Sequence, residues 1–290
     1  MAMTPELTKE LLKWQRAEIT GHQTYTRLAG MVNDEHNRQV IENIAQEEAG
    51  HYEVFKTYSG QDIGPDRFKI FLYTWMAKLF GLTFGIKLME RSEDTAQKAY
   101  AQFMGKIPQI EDIIKDEEEH ETELIDMLDE PVLRYIGSVV LGLNDALVEL
   151  TGALAGLSLA FQNTSLIALS GLITGISASL SMAASEYLSQ RAEGQGGEAL
   201  RSSIYTGIAY IFTVAVLVLP YLLFSNYLLC LGLTLASAVA IIAVFNFYLA
   251  IARDLDFRHR FLEMTLISLG VAAFSFGVGY LIRGWFGIEI

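Results

Sequence analysis

The chain has 290 residues, room for two domains, and carries 34 Asp and Glu against 21 Lys and Arg, for a formal net charge of −13. An acidic field of this size repels nucleic acid and raises the local concentration of cations. A lone Cys230 excludes both a disulfide framework and a thiolate metal cluster.

The charge is unevenly spread. Residues before 131 hold 25 acids and 14 bases; those after hold 9 and 7. An acidic domain over 1–131 and an apolar one over 132–290 are therefore expected, both all-α. The opening MAMTPELTKELLKWQRAE lacks the apolar core of a signal peptide, so the first domain is expected to stay in the cytosol.

In chain order, residues 5–30 read as an amphipathic helix and 34–58 as a second. Ser59, Gly60, Gly64 and Pro65 break the pattern. The next stretch, RFKIFLYTWMAKLFGLTFGIKLME, is unusually apolar, yet Lys69, Lys78 and Lys87 interrupt it where a span needs about 20 nearly uncharged residues. It reads as a crossover or partner-facing helix, at a dimer interface or on the membrane surface. Residues 83–104 make a third bundle helix, and a fourth runs from Pro108 to about Asp129, stopped by Pro131.

Two motifs stand on these helices: Glu48-x-x-His51 and Glu117-x-x-His120. A Glu and a His three apart on a helix share a face, so each pair can bind one metal ion from one side. Two pairs suggest two metals. A di-metal bundle needs further carboxylates from its other helices, and Glu18 and Glu90 with Glu93 are available. His22, His36 and His259 read as surface or packing residues, although His22 lies one turn from Glu18.

The order Glu18, Tyr25, Glu48-x-x-His51, Glu90-x-x-Glu93, Glu117-x-x-His120 resembles the rubrerythrin branch of the ferritin-like proteins, over about 5–130. The resemblance implies a four-helix bundle in which Glu18, Glu48, His51, Glu90, Glu93, Glu117 and His120 hold a di-iron or iron/manganese centre. No Cys-x-x-Cys rubredoxin module accompanies it.

Beyond Pro131 five apolar runs follow, about 135–161, 165–189, 204–224, 227–250 and 263–285. At about 1.5 Å per residue each can cross a hydrocarbon layer of about 30 Å. With the N-terminus inside, Arg134, Arg191, Arg201, Arg253, Arg258 and Arg260 fall on the cytoplasmic side and only Arg283 on the other, which places the C-terminus outside. Gly171, Gly175, Ser179 and Ala183, spaced by four, mark a face of the second span for close packing.

Ionisable groups in a span cost about 2.5 to 3.5 kcal/mol each on insertion scales and need a reason. Here they are Asp145 and Glu149 in the first span and Glu186 in the second, with Met182 one turn before Glu186. Carboxylates joined by a thioether favour a transition metal over Ca²⁺ or Mg²⁺; Met182 alone would be ordinary membrane filler. The segments GLNDALVELTGALAG and SASLSMAASEYLSQRAE resemble the first two spans of the vacuolar iron transporter family, over about 134–287. The resemblance implies Asp145 and Met182 along a metal path, Glu186 close by, and exchange against protons. Residues 190–203 are too few for the metal-collecting loop domain of the eukaryotic carriers; the fusion resembles the membrane-bound ferritins, which implies that the N-terminal bundle takes its place.

Together these readings lead to a multi-pass protein of the cell membrane that exports Fe²⁺, and also Mn²⁺, and whose cytosolic bundle captures or senses the metal. The expected partners are the metal ions, protons, the bilayer and a second copy, since apolar residues 70–86 exceed what one bundle can hide. Two rivals remain open: a membrane-anchored di-iron peroxidase or ferroxidase, and a tethered storage ferritin.

Overall fold

A computed structural model describes residues 5–100, 107–127, 135–194, 197–253 and 255–286. Every element among them is helical, in two compact units: Met1–Glu130 with Ile251–Arg253, and Pro131–Ala250 with Asp254–Ile290.

The first unit contains α1 (Pro5–Ala29), α2 (Glu35–Ser59), α3 (Arg67–Phe80), α4 (Leu82–Tyr100) and α5 (Ile110–Met127). Asp34 caps α2 by accepting from Asn37 N, and Asp66 caps α3 by accepting from Phe68 N and Lys69 N. The apolar run after Pro65 is thus two helices that meet at Gly81. Ile70, Tyr73 and Ala77 of α3 are buried, and Tyr73 and Ala77 join the core shared with Tyr25, Ile86 and Met89.

Residue order along the helices layers this core. One apolar cluster holds Leu11 and Trp14 of α1, Phe55 of α2, and Ile110 and Ile113 of α5. The other holds Tyr25 and Leu28, Ile41 and Ile44, and Leu124 of the same helices. Between the two on each helix fall Glu18, Glu48 with His51, and Glu117 with His120, all buried. A polar layer is therefore closed at both ends by packed hydrocarbon, which excludes water and strengthens electrostatic interaction within it.

The second unit has five helices long and apolar enough to cross a membrane: Ile136–Phe161, Thr164–Ala192, Ala199–Leu223, Tyr227–Ala252 and Phe257–Trp285. The third and fifth begin earlier than their apolar runs, at 199 rather than 204 and at 257 rather than 263. Their first turns carry Arg201 and then Arg258 and Arg260, which hydropathy counts against a span but a helix accommodates. The first span is α6 (Ile136–Asp145), a π-helical turn (Ala146–Leu150) and α7 (Thr151–Phe161). α8 (Thr164–Ala192) packs on α9 (Ala199–Leu223) through the small-residue face. A Cβ at Gly175 would stand 2.6 Å from Val214 Cγ1, and Ser179 donates to Gly207 O at 3.0 Å. α10 (Tyr227–Ala252) and α11 (Phe257–Phe286) complete the unit.

Candidate metal centre and membrane site

In the polar layer, Glu18, Glu48, His51 and Glu117 each offer a donor atom, and the four atoms lie within 4.8 Å of one another. Nitrogen and oxygen donors sit about 2.0 to 2.2 Å from a transition-metal ion such as zinc, so donors on opposite sides of one ion are about 4 Å apart. The group fits one ion with no helix moved. His51 Nδ1 lies 3.4 Å from both Glu18 Oε2 and Glu117 Oε1. His120 borders the group, its buried Nδ1 4.0 Å from Glu48 Oε1 and without a hydrogen-bond partner. The His51 and His120 rings stack with centroids 6.1 Å apart.

The other nitrogen of each ring is held from outside. His51 Nε2 lies 3.2 Å from Asp116 Oδ2, and His120 Nε2 lies 2.6 Å from Glu47 Oε2. Each of these acids directly precedes the Glu of the opposite motif. A carboxylate on Nε2 leaves Nδ1 aimed at the ligand group, the arrangement that orients metal-binding histidines. Sequence reasoning missed Glu47 and Asp116, although an acid immediately before each motif Glu was a signal.

Electrostatics bind the layer together. Burial alone would lower the His51 imidazolium, but the Glu117 and Glu18 carboxylates beside it outweigh burial and push it up to about 11. Burial lifts the Glu117 carboxyl above its ordinary range; His51 opposes this and the Glu18 charge adds to it. Without metal, a proton on His51 balances the carboxylates. Gly21 makes the layer possible, because a Cβ there would stand 2.9 Å from Glu48 Oε2.

Glu90 of α4 is half-buried and accepts a hydrogen bond from the Tyr25 hydroxyl. The side chain of Glu93 lies outside the described residues. The structure therefore gathers Glu18, Glu48, His51 and Glu117, sets His120 beside them, and ties Glu90 to Tyr25. His22 Nδ1 is 2.6 Å from Ala45 O, a packing contact between α1 and α2.

In the membrane unit, Asp145 is half-buried at the end of α6, and Glu149 is exposed within the π turn. The side chain of buried Tyr210, on α9, reaches the neighbourhood of both carboxylates. π turns are rare and recur at functional sites. This one lies between Asp145 and Thr151, and Ser268 of α11 donates to its Leu147 carbonyl at 2.6 Å. Neither Tyr210 nor the π turn was legible in sequence. Glu186 lies in a separate knot, where its Oε1 accepts from Ser138 at 2.8 Å, Ser202 at 2.7 Å and Gln190 at 3.1 Å. Met182 is half-buried one turn before it on α8.

A model of the VIT family matches residues 136–203, from the start of the first span through both carboxylate sites to the first turn of α9. Neither the curated proteins nor the solved structures yield a match. Together with the five apolar helices, the match supports a VIT membrane domain in the C-terminal half, and with it metal-ion transport by a multi-pass membrane protein.

Proposed function

We propose that the protein exports divalent transition metal, Fe²⁺ first and Mn²⁺ second, across the cell membrane in exchange for protons, and that its cytosolic bundle captures the ion first. The observation that carries this reading is the buried group Glu18, Glu48, His51 and Glu117 in a chain whose membrane half matches the VIT family. Three carboxylates and one imidazole suit iron or manganese better than a soft thiolate set would. A second ion, completing a di-iron centre, is assigned to the remaining motif residues His120, Glu90 and Glu93, with Glu48 shared.

In the membrane, Asp145 and Glu149 supply carboxylates that bind either a metal ion or protons, and Tyr210 holds the two together. Met182 adds a thioether, and Glu186 closes the cytoplasmic end. Glu149 is exposed on a single chain, where lipid would penalise it. A two-fold partner over that face would remove the penalty, which favours a homodimer. The arginine distribution supports the bundle inside and the C-terminus outside.

The buried cluster of Glu18, Glu48, His51 and Glu117 also favours a second reading, a membrane-anchored ferroxidase or peroxidase, in which bound iron would supply the redox chemistry and this chain would hold it dry. An anchor has no use for Asp145, Glu149 and Tyr210 in its spans. Metal flux into liposomes containing the pure protein, with a pH reporter inside, separates the two: a carrier moves metal and shifts lumenal pH, and an anchored enzyme does neither.

A further inference from the structure

The α3 helix has two apolar faces. At about 100° per residue, Ile70, Tyr73 and Ala77 point into the bundle, and Phe68, Phe71, Trp75 and Leu79 point almost directly away from it. The outward four are 71%, 62%, 49% and 56% exposed. Cations sit on both shoulders of this stripe: Lys69 on one, Arg67 and Lys78 on the other. The helix RFKIFLYTWMAKLF contains no acid, in a domain where acids outnumber bases 25 to 14.

On the Lys69 shoulder lies a cleft of about 440 Å³ between α1 and α3, lined by Lys9, Lys13, Arg16 and Lys69 with Asp66. Lys13 pairs with Glu10 on its own helix. Among the described residues, the side chains of Lys9, Arg16 and Lys69 make no ion pair, although Asp66 shares the cleft.

We propose that the outward face of α3, with this basic cleft, docks on an anionic phospholipid surface. Phe68, Phe71, Trp75 and Leu79 enter the boundary between headgroups and acyl chains, and Arg67, Lys69 and Lys78 reach along their stems to the phosphates. Lys9, Lys13 and Arg16 hold a headgroup in the cleft. Two observations select lipid over a second copy. An isologous contact would set Arg67, Lys69 and Lys78 against their own duplicates, whereas an anionic leaflet neutralises them. The five spans of the same chain also keep a bilayer permanently in reach, so a weak interfacial helix suffices. This inference needs only the spans; it is independent of whether metal is transported.

The test places a nitroxide at Phe71→Cys or Trp75→Cys in full-length protein carrying Cys230→Ser, in nanodiscs rich in phosphatidylglycerol, with Lys115→Cys as the solvent reference. Collision rates with oxygen, which concentrates in lipid, and with a water-soluble nickel chelate are compared. Oxygen is expected to exceed the chelate severalfold at 71 and 75 and not at 115. Phosphatidylcholine discs, or Arg16→Glu with Lys69→Glu at unchanged helicity, are expected to move both labels toward water. Labels at 71 and 75 that the chelate reaches as freely as at 115 overturn the proposal. So do labels shielded from both reagents, which would mean a protein partner, and immersion indifferent to lipid charge and charge reversal.

Discussion

His120 Nε2 lies 2.6 Å from Glu47 Oε2, and the relation is returned across the bundle by His51 Nε2 and Asp116 Oδ2 at 3.2 Å. The carboxylate before each motif Glu fixes the histidine of the other motif, so the two motifs fold into one site. Glu47→Gln or Asp116→Asn should lower metal affinity by about tenfold, the lower end of what outer-shell partners contribute. Both acids are substantially exposed, so stability should hardly change. Competition titration against a fluorescent chelator checks this, with Glu119→Gln on the same helix as a variant expected to bind like wild type.

Acidity should act in opposite senses with and without metal. In the metal-free protein His51 holds its proton up to about 11, against 6.5 in the unfolded chain, so the folded state binds one more proton between these values. That contribution to stability is complete below about 6.5. It is lost as pH rises toward about 11, by up to about 1.4 kcal/mol per pH unit. The raised Glu117 acts in the same direction at lower pH. Metal must displace these protons, so metal affinity should rise with pH over the same window. Urea midpoints at pH 7 and 9 in chelator should fall with pH, and His51→Gln should flatten the slope.

Gly21→Ala tests the fit of the ligand layer. Its methyl would stand 2.9 Å from Glu48 Oε2, and the flexible carboxylate is what yields. Helix propensity favours Ala over Gly by about 1 kcal/mol, so the bundle should remain folded. Metal content should nonetheless drop, as read by elemental analysis of the purified protein beside its circular dichroism.

Tyr210→Phe tests the membrane trio. The Tyr210 hydroxyl interacts with Asp145 and Glu149, and its loss should cut flux, by about tenfold if it supplies the roughly 1.5 kcal/mol of a hydrogen bond to a charged group. Bundle metal content should stay at the wild-type level, since Tyr210 belongs to the other unit.

What sequence could show follows from how local each signal is. Glu48-x-x-His51 and Glu117-x-x-His120 announce themselves because helical periodicity fixes which residues share a face, and the five spans do so because hydropathy sums over about twenty residues. Pairings across helices have no such local trace: Glu47 with His120, or Tyr210 with Asp145, needs the packing to be known. The π turn at Ala146–Leu150 was hidden for the same reason, since its sequence, ALVEL, is an ordinary helical one. The two faces of α3 lay between these cases. Its apolar excess was visible, but only burial of Ile70, Tyr73 and Ala77 shows which half of it is left over.

The proposed function puts capture and transport on separate ligand sets, and a single comparison tests that claim most directly: Fe²⁺ entry into sealed liposomes by wild type, Asp145→Ala and Glu48→Ala. Asp145→Ala should abolish flux and keep the bundle's metal. Glu48→Ala should lose bundle metal and keep flux at high Fe²⁺, with the deficit confined to low Fe²⁺, where capture matters. Asp145→Ala liposomes that carried iron as fast as wild type would contradict the account and leave the membrane half an anchor.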